Sequence, residues 1–124
     1  FKPFHLIGLE LNISILSAAL LNKPTGMTDG FRGDVVATAK RDLKVGEMLD
    51  GEGGFTVWGK LYPAEASLSL GGLPIGLAHH VKLKIDIPAN QPVRWQDVDF
   101  DETLDAIKIR RQMEAQFKLP KGAK

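Results

Sequence analysis

Cysteine is missing from all 124 positions. Its absence excludes disulfides, zinc–thiolate centres and cysteine nucleophiles, and it fits a reducing compartment, so the cytoplasm is the expected location. No apolar run approaches the roughly 20 residues of a membrane-spanning helix. "ISILSAALL" has the length of a signal-peptide core, but His5 and Glu10 precede it and no clean basic start does. Charge of one sign is also lacking: 16 Lys and Arg against 15 Asp and Glu leave a formal net charge of +1. That removes the electrostatic case for nucleic acid or a membrane surface as a partner. Glycine is plentiful, yet no G-x-G-x-x-G opens a helix after a strand, so no nucleotide cofactor is expected on this chain. The first residue is Phe1 rather than methionine, in the middle of the pattern "FKPFHLIGLEL", and the expectation is a fragment of a longer protein.

What the chain does contain is a phrase written twice. "AKRDLKVGEMLD" (39–50) and "LKIDIPANQPVR" (83–94) align at an offset of 44 residues. Lys40 matches Lys84, Asp42 matches Asp86, Leu43 matches Ile87, Val45 matches Ala89 and Leu49 matches Val93. Gly46 matches Asn90, and these are residue types that enter the left-handed backbone region cheaply. The pattern predicts two equivalent turn-and-strand units with both turn residues at positive φ.

Around the repeat, "FHLIGLEL" reads as a short extended segment, with Asn12 placed to cap a helix over "ISILSAALL". In that helix Ile13, Leu16 and Leu20 share a face. "NKPTGMTDGFRGD" is a loop and a candidate boundary. "DVVATAK", "FTVWGKLYP", "VKLKIDI" and "VRWQDVDF" read as strands, and "AEASLSLGGLPIGLAHH" is open between a short helix and an irregular loop. "DETLDAIKIRRQMEAQF" is an amphipathic helix with Ile109, Met113 and Phe117 on its apolar stripe, stopped at Pro120 and Gly122. The fold expected is mainly β with flanking helices: residues 1–33 as the end of a preceding domain and linker, 34–101 as a domain of short strands and turns, and 102–124 as a helix and tail.

With its second "DI" turn and following "DV", "AKRDLKVGEML" resembles the SAF domain, a β-clip fold whose relatives include type III antifreeze protein and the C-terminal domain of sialic acid synthase. More widely, "HLIGLEL", "GFRGDVVATAKRDLKVGEMLDGEGG", "LPIGLAHHVKL" and "QPVRWQDVDFDE" are similar to the C-terminal part of SAF-containing, homoserine-dehydrogenase-like oxidoreductases, a group that includes the deoxyxylulose-phosphate reductoisomerase-like enzymes. That resemblance implies a non-catalytic C-terminal domain. NADP(H) would be held by the parent protein's N-terminal domain, and the chain would pack on its own catalytic domain or form a homo-oligomer. It also admits a stand-alone SAF module that binds a sugar acid or similar polar ligand. A chaperone domain like that of flagellar P-ring assembly is a third option, and it needs a signal peptide. The Arg-Pro-Gly signature of the sialic acid synthase type is absent, and "WGKLYP" stands nearest to its region.

Candidate ligand-binding residues are His5, Lys60, His79 and His80; no catalytic residue, cofactor ligand or metal ligand stands out. Imidazoles suit acid–base or phosphate contacts. On a regular strand, however, His79 and His80 would point to opposite faces and could not chelate one metal. His5, between Phe4 and Leu6, reads by default as a core histidine. "DGEGG" reads as a turn, because Asp50 and Glu52 would repel phosphate. Asp97, Asp99, Asp101 and Glu102 precede a helix, where capping accounts for them. Lys40, Arg41, Lys44, Lys60, Lys82 and Lys84 could form a basic face beside Trp58, Tyr62 and Trp95.

Overall fold

The computed structural model describes residues 3–28 and 30–118. The chain divides into two compact units, Phe1–Gly30 and Phe31–Lys124. Phe31, Arg32 and Gly33 therefore fall in the second unit, as does the C-terminal helix.

The first unit is one helix and its tail. Helix α1 spans Ile7–Leu21, so the segment expected to be extended is helical from Ile7 onward. Glu10 explains the early start. Its Oε1 accepts the Leu6 amide at 3.1 Å, which satisfies an orphan donor at the helix N-terminus, and its Oε2 meets His5 Nδ1 at 2.9 Å. Asn12, expected to cap, lies inside the helix. The cap at the other end is Asn22, in the left-handed conformation at φ 51°, with its amide donating to Ser17 O. Ser17 Oγ then donates to Lys23 O at 2.9 Å, and Ser14 Oγ pairs with Thr25 Oγ1 at 3.1 Å, folding the tail back on the helix.

The second unit holds two small antiparallel sheets. Strand β1 (Gly33–Ala39) pairs with β3 (Val57–Pro63) from Gly33↔Pro63 to Ala39↔Val57. Strand β4 (His79–Leu83) lies between β2 (Met48–Asp50) and the two-residue β5 (Val98–Asp99). Helix α2 (Ala64–Leu70) follows β3, short 3-10 turns occupy Ile75–Leu77 and Trp95–Asp97, and helix α3 spans Asp105–Phe117. The expected mainly-β description is corrected to a mixed one, since three α-helices accompany the sheets among the described residues. "VRWQDVDF" is a strand only at Val98–Asp99, after the 3-10 turn, and "VKLKIDI" stays a strand only to Leu83, leaving Ile85 exposed while Ile87 is buried.

The repeated segments cross at the centre of this unit and hold each other. Leu43 and Ile87 exchange both backbone hydrogen bonds, at 2.8 and 3.0 Å. The relation is reciprocal throughout. Asp42 accepts the Ala89 amide while Asp86 accepts the Val45 amide, each at 2.8 Å. The Asn90 amide donates to Ala39 O while the Gly46 amide donates to Leu83 O, again at 2.8 Å. Gly46 has φ 84° and Asn90 φ 64°, so both turns take the left-handed step that the aligned residue types predicted. Leu43, Leu49, Leu83, Ile87, Val93 and Val98 form one buried cluster around this crossing.

Helix α3 closes the cluster through Ile107 rather than Ile109, while Met113 of the expected stripe is half-buried and Phe117 lies 6.1 Å from the Phe31 ring. Ile107 is buried and Ile109 is 65% exposed. One helical turn on from Ile107, Arg110 sits on the packed side and donates to both Asp34 oxygens, at 3.1 and 2.5 Å. Ser67 Oγ donates to the same carboxylate at 2.5 Å. Arg110 Nε reaches Glu114 at 2.8 Å, and Glu114 also accepts Trp95 Nε1 at 2.9 Å. Burial lowers the Arg110 pKa, but the Asp34 and Glu114 hydrogen bonds outweigh that and raise it. The expected stop at Pro120 and Gly122 lies outside the described residues.

Two outcomes follow in urea unfolding. Arg110→Met is expected to cost about 3–5 kcal/mol, because it strands a buried carboxylate, and adding Asp34→Asn should recover part of the loss. Asn90→Gly should be tolerated, whereas Asn90→Val should cost about 1–2 kcal/mol for a left-handed β-branched residue.

Candidate functional site

The four candidate residues are divided between the two units. His5 lies in the first unit, is largely exposed and pairs with Glu10, so it is not a core histidine. Lys60 is exposed on β3, with Nζ 5.6 Å from the centre of the Tyr62 ring. Within the second unit, His79 and His80 share a site.

Their geometry comes from an irregularity in the sheet. Met48 pairs with Lys82 but Asp50 pairs with His79, so β4 carries one extra residue between the two pairs. His80 takes up the slack at φ 55°, a left-handed conformation that histidine enters more readily than most side chains. The bulge abolishes strand alternation. Instead of pointing to opposite faces, both imidazoles are exposed and line one cleft of about 580 Å³, with ring centres 6.2 Å apart. Leu77, Val81, Leu104 and Ile107 supply an apolar wall, and Asp99 and Asp101 stand at the polar side. Asp101 is partly occupied, since Oδ1 accepts the Thr103 amide at 2.8 Å and its hydroxyl at 2.6 Å ahead of α3. Thr103 lowers the pKa of that carboxyl through these bonds.

The floor under His79 is the "DGEGG" turn. Gly51, at φ 72°, lies so close to the His79 ring that any Cβ there would strike it. Gly54 is similarly required, because the Asp50 carboxylate occupies the space of its missing side chain. Asp50 organises the loop: it accepts the Phe55 amide at 2.6 Å, the Thr56 amide at 3.0 Å and the Thr56 hydroxyl. Lys40 Nζ donates to Gly54 O on the same loop. Burial raises the Asp50 pKa, but the hydrogen bonds from Thr56 and Phe55 outweigh it and hold the value at about 2.

Chemically, the cleft offers two imidazoles beside an apolar wall. That suits holding a ligand's polar edge. Among the described residues no group of three His, Asp or Glu side chains is placed to hold a metal ion. Of the suggested basic face, Arg41 pairs with Glu47 and Lys44 with Asp86, and Trp95 is buried against Phe100. Sequence reasoning missed the Asp34–Arg110–Glu114–Trp95 network. Its signal was an arginine three residues after Ile107 with a glutamate at the next turn. Compared with known proteins, the chain matches no family model and no curated protein.

A pH titration of stability tests the loop assignment. The Asp50 carboxyl is held at about 2 in the fold against an ordinary value of 3.8, so its contribution is present above 3.8 and is lost as pH falls toward 2. Asp50→Asn should lower stability at neutral pH and flatten the acid limb in that window, as read from thermal melts at stepped pH.

Proposed function

We propose that this chain is the non-catalytic C-terminal region of an NAD(P)-dependent oxidoreductase, with its second unit an SAF β-clip and α1 the end of the adjoining catalytic domain. The observation that carries the accessory role is α1. Ten of its fifteen residues are Ile, Leu or Ala, they point in every direction around the axis, and none is buried. Ile7 is 78% exposed and Leu20 is 75% exposed. A helix apolar on all sides belongs in an interior, and each large side chain left wet forgoes roughly 1.5–3 kcal/mol. No helix among the described residues is long and apolar enough to cross a membrane, and α1 is short of that length. Protein is therefore the interior that suits it.

The β-clip assignment is supported by the reciprocal turns at Gly46 and Asn90, and the enzyme class by the resemblance of "HLIGLEL", "GFRGDVVATAKRDL" and "LPIGLAHHVKL" to homoserine-dehydrogenase-like proteins. In this reading the parent binds NADP(H) upstream of this region and works in the cytoplasm. The second unit packs on the catalytic domain and completes a substrate cleft, for which the His79–His80 mouth is the candidate edge, or a dimer interface. A second reading, a free-standing SAF module for a sugar acid, is favoured by the donor-rich cleft described below.

Light scattering on the chain and on an Ile13→Asp, Leu16→Asp, Leu20→Asp variant tests the first reading. The chain should self-associate and the variant should be monomeric with an unchanged melting transition for the second unit. Calorimetry should detect no NADPH binding to either, because neither has glycine-flanked amides at a helix start to receive a pyrophosphate. A monomeric parent chain, or NADPH bound at micromolar affinity, would overturn it.

A further inference from the structure

A different cleft, of about 540 Å³, opens between the Gly71 turn, the Trp95–Asp97 turn and α3. At its base is Trp95, only 6% exposed, edge-on to Phe100 at 5.0 Å and covered by the Arg111 guanidinium at 5.0 Å. Lys84, Arg94, Arg111 and Lys118 line it, against the carboxylates of Glu102 and Glu114. A count of donors and acceptors gives the sign of what it can take.

The inner carboxylate is spent. Glu114 accepts Trp95 Nε1 at 2.9 Å, Arg110 Nε at 2.8 Å and Arg111 at 2.7 Å. Behind the cleft, the buried Asp97 accepts both the Arg94 amide, at 2.9 Å, and Arg94 Nε, at 3.0 Å. Donors are left over. Lys84 and Lys118 have no ion-pair partner among the described residues, and Arg94 uses only Nε of a guanidinium that carries five N–H groups. Glu102 is the one lining carboxylate with no described partner. Asp97 also fixes the Arg94 plane, so its free terminal nitrogens are held ready rather than ordered on binding.

We propose that this cleft binds a small organic anion, a carboxylate or phosphate carried on a ring-sized body. Lys84 and the terminal nitrogens of Arg94 take the anionic group, and Phe100 with the Arg111 guanidinium laid over Trp95 supports the body. Arginine presents a fork that matches either oxyanion, and lysine adds a point charge beside it. The proposal supplies a site for the module reading, but it stands on the cleft alone and survives if both the SAF and the oxidoreductase assignments fail.

Calorimetry on the intact chain with glucuronate, glucose 6-phosphate, glucose and inorganic phosphate is the test. One or both charged sugars should bind and glucose should not; the tighter of the two names the oxyanion. Lys84→Gln and Arg94→Gln should each weaken binding about tenfold or more, the scale of one charge-assisted hydrogen bond. Lys108→Gln, exposed on α3 and outside the cleft lining, should leave it unchanged. Lys84 is exposed and without a partner, so its variant tests the site even if Arg94→Gln disturbs the turn. Three results would each overturn the proposal: no binding of either charged sugar, binding indifferent to Lys84→Gln, or inorganic phosphate binding as tightly as the sugar anions.

Discussion

The second unit depends on two turns that satisfy each other's backbone. Leu43 and Ile87 bond reciprocally, and each turn's aspartate accepts an amide from the other, Asp42 from Ala89 and Asp86 from Val45. Neither turn is complete alone. Breaking one leaves polar groups unpaired in both, beside the buried cluster of Leu43, Leu83 and Ile87. The short strands hang from this crossing: β2 ends one copy of the repeat, and the segment that donates from Val93 to Ala37 ends the other. Strands of two and three residues, such as β5 and β2, could not persist without such a fixed centre.

The crossing was also the most legible part of the chain, because paired residue types at constant offset report on two places at once. Other features were hidden for physical reasons. Residues 4–11 alternate well enough for a strand, but α1 is apolar on every side, so periodicity could not separate the two, and the helix is decided by Glu10 reaching back to Leu6. His79 and His80 read as opposite-facing only if β4 is regular; the bulge depends on pairing with β2 and cannot be seen from β4. In α3, Ile109 and Ile107 are equally apolar. The choice between them was made by Arg110, whose partner Asp34 lies 76 residues away. Pair interactions at that range leave no trace in local spacing.

These features share a bearing on function. The second unit spends its polar groups economically around the core, with no buried side-chain nitrogen or oxygen left unpaired among the described residues. What it leaves unspent is concentrated at the surface: the His79–His80 mouth and the donors around Trp95. The first unit is the reverse, a helix with hydrogen-bonded serines along its tail and no buried residue of its own. A large apolar surface on one element beside a polar-satisfied core on another is the pattern on which the proposed accessory role rests.

The Asp34–Arg110 pair also sets a timetable for synthesis. Asp34 lies at the start of the first long strand, yet its counter-charge is carried on α3. At about 5–20 residues per second, a ribosome takes roughly 4–15 s to travel from one to the other. Once β3 has followed, the β1–β3 hairpin can form, but sealing Asp34 beneath further packing would bury a carboxylate with no cation until Arg110 arrives. Arrival of α3 is thus the step that neutralises Asp34, and a chain ending before Arg110 lacks that counter-charge.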